Sequence, residues 1–400
     1  MKFNKWTVGL AAVGVVSLAS AARADEKMSQ LQTALSSTTI SGYVDTSAMW
    51  SLGTQGAVSP PYTPGLAPSD GFNLNAVDIA IDHPEDSSPW ASGYHVELMF
   101  GPDAIPGAFG TSGENVRQAY MTLRTPVGNG IDWKVGVFDT IIGYEGTSDP
   151  TNPNFTRSYG YQIEPTTHTG ILGTYAISSA VSVSAGVADT YSGIDGRAAY
   201  ESDKTYLGSI ALTAPDSWGW VKGAVLTLGI VDSLDGHAAA VAGTAGSQLL
   251  VAPYTYTPAT PGTAAVSPVT SYYAGVTLPT PWSALKAGAA FDYKDIHTGG
   301  SAWVAGLYTT YQATDKLSLN ARAEYLDDNG AVYGATDNAA EEVTLTAQYN
   351  LWANVLSRVE VRWDHVNHGS PFGVGTTPPA APGGDQSNAF LLALNLIYQF

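Results

Sequence analysis

The sequence predicts an all-β fold, a transmembrane antiparallel β-barrel of about 16 strands, with 14 to 18 as the defensible range. Apolar and polar residues alternate with a period of two through most of the chain after residue 39, as in strands whose two faces meet different environments. Most of the alternating segments are 9–12 residues long. That length suits a tilted strand that crosses the hydrocarbon core of a bilayer.

The individual strands follow from this alternation, which is clearest where large apolar residues occupy every second position, as in 131–140 and 317–326. The predicted strands are 40–52, 72–82, 91–101, 115–125, 131–140, 166–176, 181–190, 205–213, 221–231, 270–279, 284–295, 302–312, 317–326, 341–349, 354–364 and 389–400. A soluble propeller or β-helix should show a repeated motif, and none is found. A soluble barrel of this size would enclose an empty, water-filled lumen.

The connections between these strands alternate in length. The long ones are 53–71, 102–114, 141–165, 191–204, 232–269, 327–340 and 365–388. The others are short turns, and only 296–301 breaks the alternation. Outer-membrane barrels have short turns at one end and long loops at the other, whereas a β-sandwich has no reason to sort its connections in this way.

The composition excludes several other classes of protein. Charged residues make up only 13% of the 400 residues, the net charge is −18, and there is no cysteine. A disulfide scaffold or a thiolate metal site is therefore impossible, and a nucleic-acid partner is not expected without a basic face. The low charge is consistent with a belt of apolar residues that faces outer-membrane lipid.

The N-terminus predicts export through a cleaved signal peptide at 1–24. Lys2 and Lys5 precede an apolar run over 7–21, and the sequence Ala22-Arg23-Ala24 fits the cleavage rule. The alternative is an uncleaved membrane anchor. Cleavage would leave a mature chain with 14 basic and 35 acidic residues, a net charge of −21. A short, helix-like periplasmic segment at 25–38 then precedes the barrel at 39–400.

The last predicted strand has a large apolar residue at every second position and ends in an aromatic residue. Tyr398 and Phe400 occupy the final two of these positions. A terminal aromatic residue on such a strand resembles the signal that the barrel assembly machinery of the bacterial outer membrane recognises. The alternative is an ordinary buried last strand.

Several motifs resemble the OmpL-like, porin-2 type of β-barrel porin of bacterial outer membranes. They are GYVD at 42–45, VDIAI at 77–81, GVFDT at 136–140, IGYE at 142–145, NPNFTRSYG at 152–160 and THTG at 167–170. The resemblance extends over about 38–400 and implies a barrel in the outer membrane. It says less about the solute, and loop 232–269 matches none of these motifs.

Loop 141–165 is the candidate constriction of such a pore, since a loop folded inside a barrel usually sets its bore. The candidate residues are Tyr144, Glu145, Asp149, Arg157 and Tyr159. Carboxylates facing an arginine across an aqueous gap would orient dipolar solutes and bias the flow of ions. The alternative is that the loop lies outside the barrel as a lid.

Charged residues on the polar faces of the strands are candidates for the lumen wall. They are Arg124, Asp132, Lys134, Arg322, Glu324, Arg358, Glu360, Arg362 and Asp364. Opposite charges often stand two residues apart, which allows either a self-neutralised wet wall or a selective ladder of charges. Either Arg117 or Gln118 also faces inwards, and the pattern does not decide which.

No catalytic, cofactor-binding or metal-binding residue is assigned, and the protein is not expected to be an enzyme. The chain has seven histidines but no G-x-S-x-G elbow. Asp364, His365 and His368 lie close in sequence, but without a helix that would align them they are more simply surface residues.

The leading hypothesis is an outer-membrane porin, a water-filled channel for passive diffusion of small hydrophilic solutes and ions with a mild cation preference. One alternative is a substrate-specific channel, although the inward aromatic candidates Tyr43, Phe138 and Tyr273 are too scattered to form a track. Another is a structural or adhesive barrel that binds a partner through loop 232–269. A homotrimer is compatible with the sequence but is not specified by it.

Overall fold

The computed structural model is a closed barrel of sixteen antiparallel strands. It describes residues 37–52, 70–104, 114–189, 191–192, 204–234, 268–297, 299–331, 337–368, 372 and 386–400. The strands are β1 (Thr39–Leu52), β2 (Gly71–His83), β3 (Ser92–Phe100), β4 (Glu114–Thr125), β5 (Ile131–Asp139), β6 (Thr167–Ala176), β7 (Val181–Ala188), β8 (Thr205–Thr213), β9 (Val225–Ser233), β10 (Val269–Pro279), β11 (Leu285–Ile296), β12 (Gly300–Gln312), β13 (Leu317–Asn329), β14 (Asp337–Trp352), β15 (Val355–Val366) and β16 (Asn388–Gln399). Each strand pairs with its neighbours in the chain, and β1 pairs with β16, so the sheet has no open edge.

The predicted fold class is confirmed, and each predicted strand has a counterpart. The ninth strand begins later than predicted, because residues 216–221 form a 3-10 turn before β9. The predicted signal peptide and most of loop 232–269 lie outside the described residues, as does all of segment 25–38 except its last two residues. No helix within the described ranges is long and apolar enough to cross a membrane.

The outer face of the barrel is apolar. Leu307, Leu345 and Val361 are among many large side chains that point outwards and are exposed. Soluble monomers rarely expose contiguous apolar surface on this scale, whereas a lipid-facing barrel requires it. Five exposed tryptophans lie in or beside the short turns, where aromatic rings suit the membrane interface. They are Trp90, Trp218, Trp220, Trp282 and Trp352.

A β-bulge in β4 resolves the choice between Arg117 and Gln118. Gln118 pairs with Glu97, but the next pair joins Val116 to Leu98, so Arg117 is an additional residue in its strand. The bulge turns both side chains inwards, and both are buried. Arg117 Nε lies 2.7 Å from one oxygen of Glu97, and the amide of Gln118 donates to the other at 2.7 Å. Strict alternation could not have predicted this arrangement.

The first and last strands meet through Gly42 and Phe400. The two residues exchange backbone hydrogen bonds of 3.1 and 3.0 Å. A Cβ atom at Gly42 would lie 2.1 Å from the carbonyl oxygen of Asp78 and 2.8 Å from the Phe400 ring. Glycine therefore allows β1 to approach β2 closely while the terminal aromatic ring covers the same position.

We expect Gly42→Ala to reduce the yield of closed barrel, because the added methyl group forces the backbone of β1 or β2 to move. Overpacking of this kind typically costs about 1–3 kcal/mol. The measurement is the fraction of refolded protein that migrates as a heat-modifiable band on a gel. Ser41→Ala, at the exposed neighbouring position, is the control. Equal yields for both variants would contradict the proposed close approach.

Candidate functional site

Loop 141–165 connects β5 to β6 and folds inside the barrel. Its base is closed by a hydrogen bond from Thr140 N–H to Thr166 O at 2.9 Å. Asn152 folds the first half back on itself, because its side chain donates to the carbonyl oxygens of Gly146 and Ser148. The second half forms the short helix α1 (Tyr159–Ile163), whose first turn is capped by the hydroxyl of Ser158. The loop therefore has a fixed shape before it contacts the wall.

Arg322 of β13 links the loop to the wall at its centre. The guanidinium is buried and donates to Glu145 at 2.7 Å, to Thr156 O at 2.8 Å and to Glu342 of β14 at 2.6 Å. A buried guanidinium needs several partners, because desolvation of an unpaired charge is costly. Most of these partners belong to the loop, so Arg322 holds the loop and does not pair with its neighbour Glu324.

Carboxylates of the wall bind backbone amides of the loop. Glu360 of β15 accepts from the N–H groups of Phe155 and Thr156 at 2.6 and 2.9 Å. Glu324 of β13 accepts from the N–H group of Tyr159 at 2.5 Å. These charge-assisted hydrogen bonds satisfy donors that would otherwise be buried without partners.

The remaining charges of β15 act in the same way. Arg358 donates to the carbonyl oxygens of Asp149 and Asn152. Arg362 donates to Arg157 O at 2.6 Å and pairs with Asp364 at 2.8 Å. Asp364 also accepts from the hydroxyl of Tyr159 at 2.8 Å. All six predicted wall residues on β13 and β15 therefore contact the loop.

Within the loop, Arg157 pairs with Asp149 at 2.6 Å and donates to Thr147 O. Burial alone would lower the pKa of Arg157, but the charges of Asp149 and Glu145 outweigh it, so its pKa is raised and the guanidinium stays charged. The backbone N–H of Asp149 approaches the hydroxyl of Tyr43 on β1 at 3.4 Å. The loop thus extends across the lumen from β5 to β1.

The start of the loop packs on an apolar patch of the inner wall. Ile142 contacts a cluster that includes Phe138, Leu172 and Val231, so this part of the wall is not polar. The Tyr144 ring stacks on Tyr308 with centroids 3.9 Å apart. The loop is therefore fixed by apolar packing at one end and by buried charges at the other.

The other predicted wall residues have no hydrogen bond or ion pair to the loop among the described residues. Arg124 and Asp132 pair beside the short turn between β4 and β5. The Lys134 ammonium lies 4.6 Å above the Tyr120 ring. On the neighbouring part of the wall, Arg117 Nη1 lies 2.7 Å from Asp139 Oδ1. His95 Nδ1 lies 3.0 Å from Asp82 Oδ2. Asp82, His95 and Asp139 were missed by sequence reasoning, although their place on alternating strands could have indicated them.

Two cavities of about 480 and 250 Å³ adjoin the loop. The larger lies between the loop and the inner faces of β9 to β14. The smaller is lined by the loop and the end of β5. Across the parts of the chain that the structure describes, no group of three or more His, Cys, Asp or Glu residues could hold a metal ion.

The most strongly perturbed carboxyl group of the loop is Glu164. Burial raises its pKa well above the usual value, and the nearby acidic groups of Asp292, Glu145 and Glu324 raise it further. Folding therefore favours the protonated form more than the unfolded chain does. The loop consequently packs best when Glu164 is neutral.

The pKa of Glu164 is higher in the folded protein than in the unfolded chain, where a glutamate has a pKa of about 4.3. Its carboxyl group therefore stabilises the fold fully below that pH, and this contribution is lost as the pH rises through the folded-state pKa. We expect the Tm of the barrel to fall as the pH rises through this range. We expect Glu164→Gln to make Tm less dependent on pH. The measurement is Tm in detergent as a function of pH. Asp216→Asn, an exposed carboxylate in a short turn, is the control. An unchanged pH profile for Glu164→Gln would contradict the assignment.

A closed sixteen-stranded barrel with an apolar outer face and a loop fixed inside it has the architecture of an outer-membrane channel protein. The chain belongs to the family described as "Putative beta-barrel porin-2, OmpL-like", which matches residues 37–400. It is therefore an outer-membrane β-barrel of the porin type. No curated protein matches it in sequence.

Solved structures with the same fold include OprB of Pseudomonas putida, with a TM-score of 0.58 and 11% identity over 92% of this chain and 96% of that one. An anion-selective porin from Comamonas acidovorans has a TM-score of 0.57 and 12% identity over 91% and 99%. OmpT of Vibrio cholerae in its trimer form has a TM-score of 0.56 and 15% identity over 91% and 99%. At such low identity these likenesses establish the fold alone.

Proposed function

We propose that the protein is a water-filled channel for passive diffusion of small hydrophilic solutes and ions, narrowed by loop 141–165. The support is the network of buried charges that holds the loop across the lumen, above all Arg322, Glu360 and Arg362. Such a loop leaves only part of the cross-section open. The pore-constriction residues of this proposal are Tyr144, Glu145, Asp149, Arg157 and Tyr159.

We further propose a mild preference for cations, carried by the inner wall at β2 to β5. In two arginine–carboxylate ion pairs and one histidine–carboxylate contact there, the carboxylate is more exposed than its partner. Asp82 is 43% exposed and His95 15%, Asp139 is 40% and Arg117 4%, and Asp132 is 44% and Arg124 20%. Water in the lumen therefore meets mainly carboxylate oxygens. The preference is mild because each carboxylate has a cationic or titratable partner.

Planar-bilayer recording in a salt gradient tests both statements. We expect discrete channels with a reversal potential on the cation-selective side. Asp82→Asn should move that potential towards zero, because it removes an exposed negative charge and leaves the other two pairs intact. Asp86→Asn, in the short turn between β2 and β3, is the matched control and should not. The absence of channels would refute the first proposal, and an anion-selective potential would refute the second.

Assembly into a homotrimer stays a prediction, as do insertion of Tyr398 and Phe400 by the barrel assembly machinery and contact of the outer face with lipid. The mass of the purified protein in detergent, corrected for bound detergent, would test the trimer. OmpT of Vibrio cholerae, which shares the fold, has been solved in a trimer form. A mass equal to one chain would refute this prediction.

A further inference from the structure

The larger cavity differs in character from the rest of the lumen. Its strand residues lie in the half of β9 to β14 that adjoins the short turns, and the loop forms its other side. The chain contains 35 acidic residues, yet none of the described residues that line this cavity is acidic. Lys286 is the only charged residue among these described lining residues. A cation in this cavity would therefore have no oppositely charged partner.

Neutral hydrogen-bonding groups cover most of the cavity wall. Thr227 and Thr310 both point into it, and neither hydroxyl has a partner within the described part of the chain. Gln348 accepts from Arg358 Nε at 3.1 Å through its carbonyl oxygen, which leaves its amide donors for another acceptor. Hydroxyls both donate and accept, so the cavity offers both kinds of partner to a hydroxylated solute.

Neighbouring residues position several of the side chains that line the cavity. Lys286 and Thr310 are direct cross-strand neighbours on β11 and β12, which fixes their separation. Tyr144 lines the cavity while its ring stacks on Tyr308, and its hydroxyl occupies the space beside Gly288. An aromatic surface with a few fixed polar groups around it is the usual composition of a small-molecule site.

We propose that this cavity is a binding subsite for neutral polyhydroxylated solutes such as monosaccharides. The hydroxyls of Thr227 and Thr310, the amide of Gln348 and the ammonium of Lys286 would bind the solute hydroxyls, and Tyr144 would contact its apolar face. The subsite rests on the proposed channel function and deepens it, because it makes passage of these solutes saturable. The proposed cation preference arises at β2 to β5 and does not depend on this subsite.

The test is titration of the single-channel current in potassium chloride with glucose. We expect a saturable decrease in current, and we expect Thr310→Val to raise the half-saturating glucose concentration about three- to tenfold, the effect of losing one hydrogen bond. Thr309→Val makes the same chemical change on the outer face of β12 and should not alter it. Thr227→Val, on β9, repeats the test on another strand and should also raise the half-saturating glucose concentration.

Lys286→Gln and the gluconate ion separate a neutral site from an anion site. Because glutamine keeps a hydrogen-bond donor, glucose should still saturate the current of Lys286→Gln. The half-saturating glucose concentration should stay within about threefold of that of the unaltered protein, the lower end of the effect of one hydrogen bond. Saturation by gluconate but not glucose, with loss of the effect in Lys286→Gln, would overturn the proposal. A linear decrease equal to that caused by betaine, a solute without hydroxyls, would also overturn it. If no channel forms, the proposed function itself fails.

Discussion

Arg322→Met is expected to release loop 141–165 and to increase single-channel conductance. The substitution removes the guanidinium that binds Glu145, Thr156 O and Glu342 inside the barrel. It leaves two buried carboxylates without that partner, and removing one member of a buried ion pair typically costs about 3–5 kcal/mol. The loop can relieve this cost by leaving the wall, whereas the barrel strands cannot, because their backbone pairing closes the sheet.

The matched control for this variant is Arg124→Met. Arg124 also pairs with an inward carboxylate, Asp132, but it lies beside a short turn and has no contact with the loop among the described residues. The control should leave the loop in place, so its conductance should change far less than that of Arg322→Met. Heat-modifiable migration would establish that both variants are folded. A folded Arg322→Met barrel with unchanged conductance would refute the role of Arg322 in holding the constriction.

Glu360→Ala is expected to expose the centre of the loop to exchange with solvent. Glu360 accepts from the backbone N–H groups of Phe155 and Thr156, which are otherwise buried. Each unsatisfied donor costs about 1–3 kcal/mol, which corresponds to a roughly 5- to 150-fold loss of protection for these amides. Hydrogen–deuterium exchange of a peptide covering 152–158 measures this loss directly.

Glu360→Gln should have a smaller effect, because its carbonyl oxygen can still accept from one of the two amides. Glu341→Ala is the control for the loss of a carboxylate, since Glu341 points away from the lumen on β14. It should leave exchange within 152–158 unchanged. Equal exchange in Glu360→Ala and the unaltered protein would mean that this carboxylate does not hold the loop.

The strands were predictable because each has an apolar face that points outwards and another face towards the lumen. That contrast imposes a period of two on the sequence, and it predicted β13 and β15 closely. The pattern failed where the backbone departs from strict alternation. The bulge at Arg117 places two consecutive side chains on one face, and the 3-10 turn at residues 216–221 delays β9. The bulge and the 3-10 turn both depend on contacts with neighbouring strands and turns. The sequence of a single segment contains no information about those contacts.

The candidate site was predictable as a set of residues but not as a set of contacts. The alternation identifies the charged residues of β13 and β15, and it is consistent with both a self-neutralised wall and a selective ladder of charges. In the structure Arg362 does pair with Asp364, two residues away, whereas Arg322 and Glu324 bind different parts of loop 141–165. Arg322 and its partner Glu145 are 177 residues apart in sequence. Spacing along one strand carries no information about such pairs.

The sequence by itself determined the barrel, the positions of its strands and the ends at which long and short connections lie. These follow from local chemistry, because each residue must suit the apolar outer face, the lumen or a turn. Only the tertiary structure decided that a loop extends across the lumen, that the wall charges bind its backbone, and that one cavity of an acidic protein has no acidic residue among its described lining. Those features depend on which distant groups meet once the barrel is closed, and desolvation makes each buried charge select its partners there.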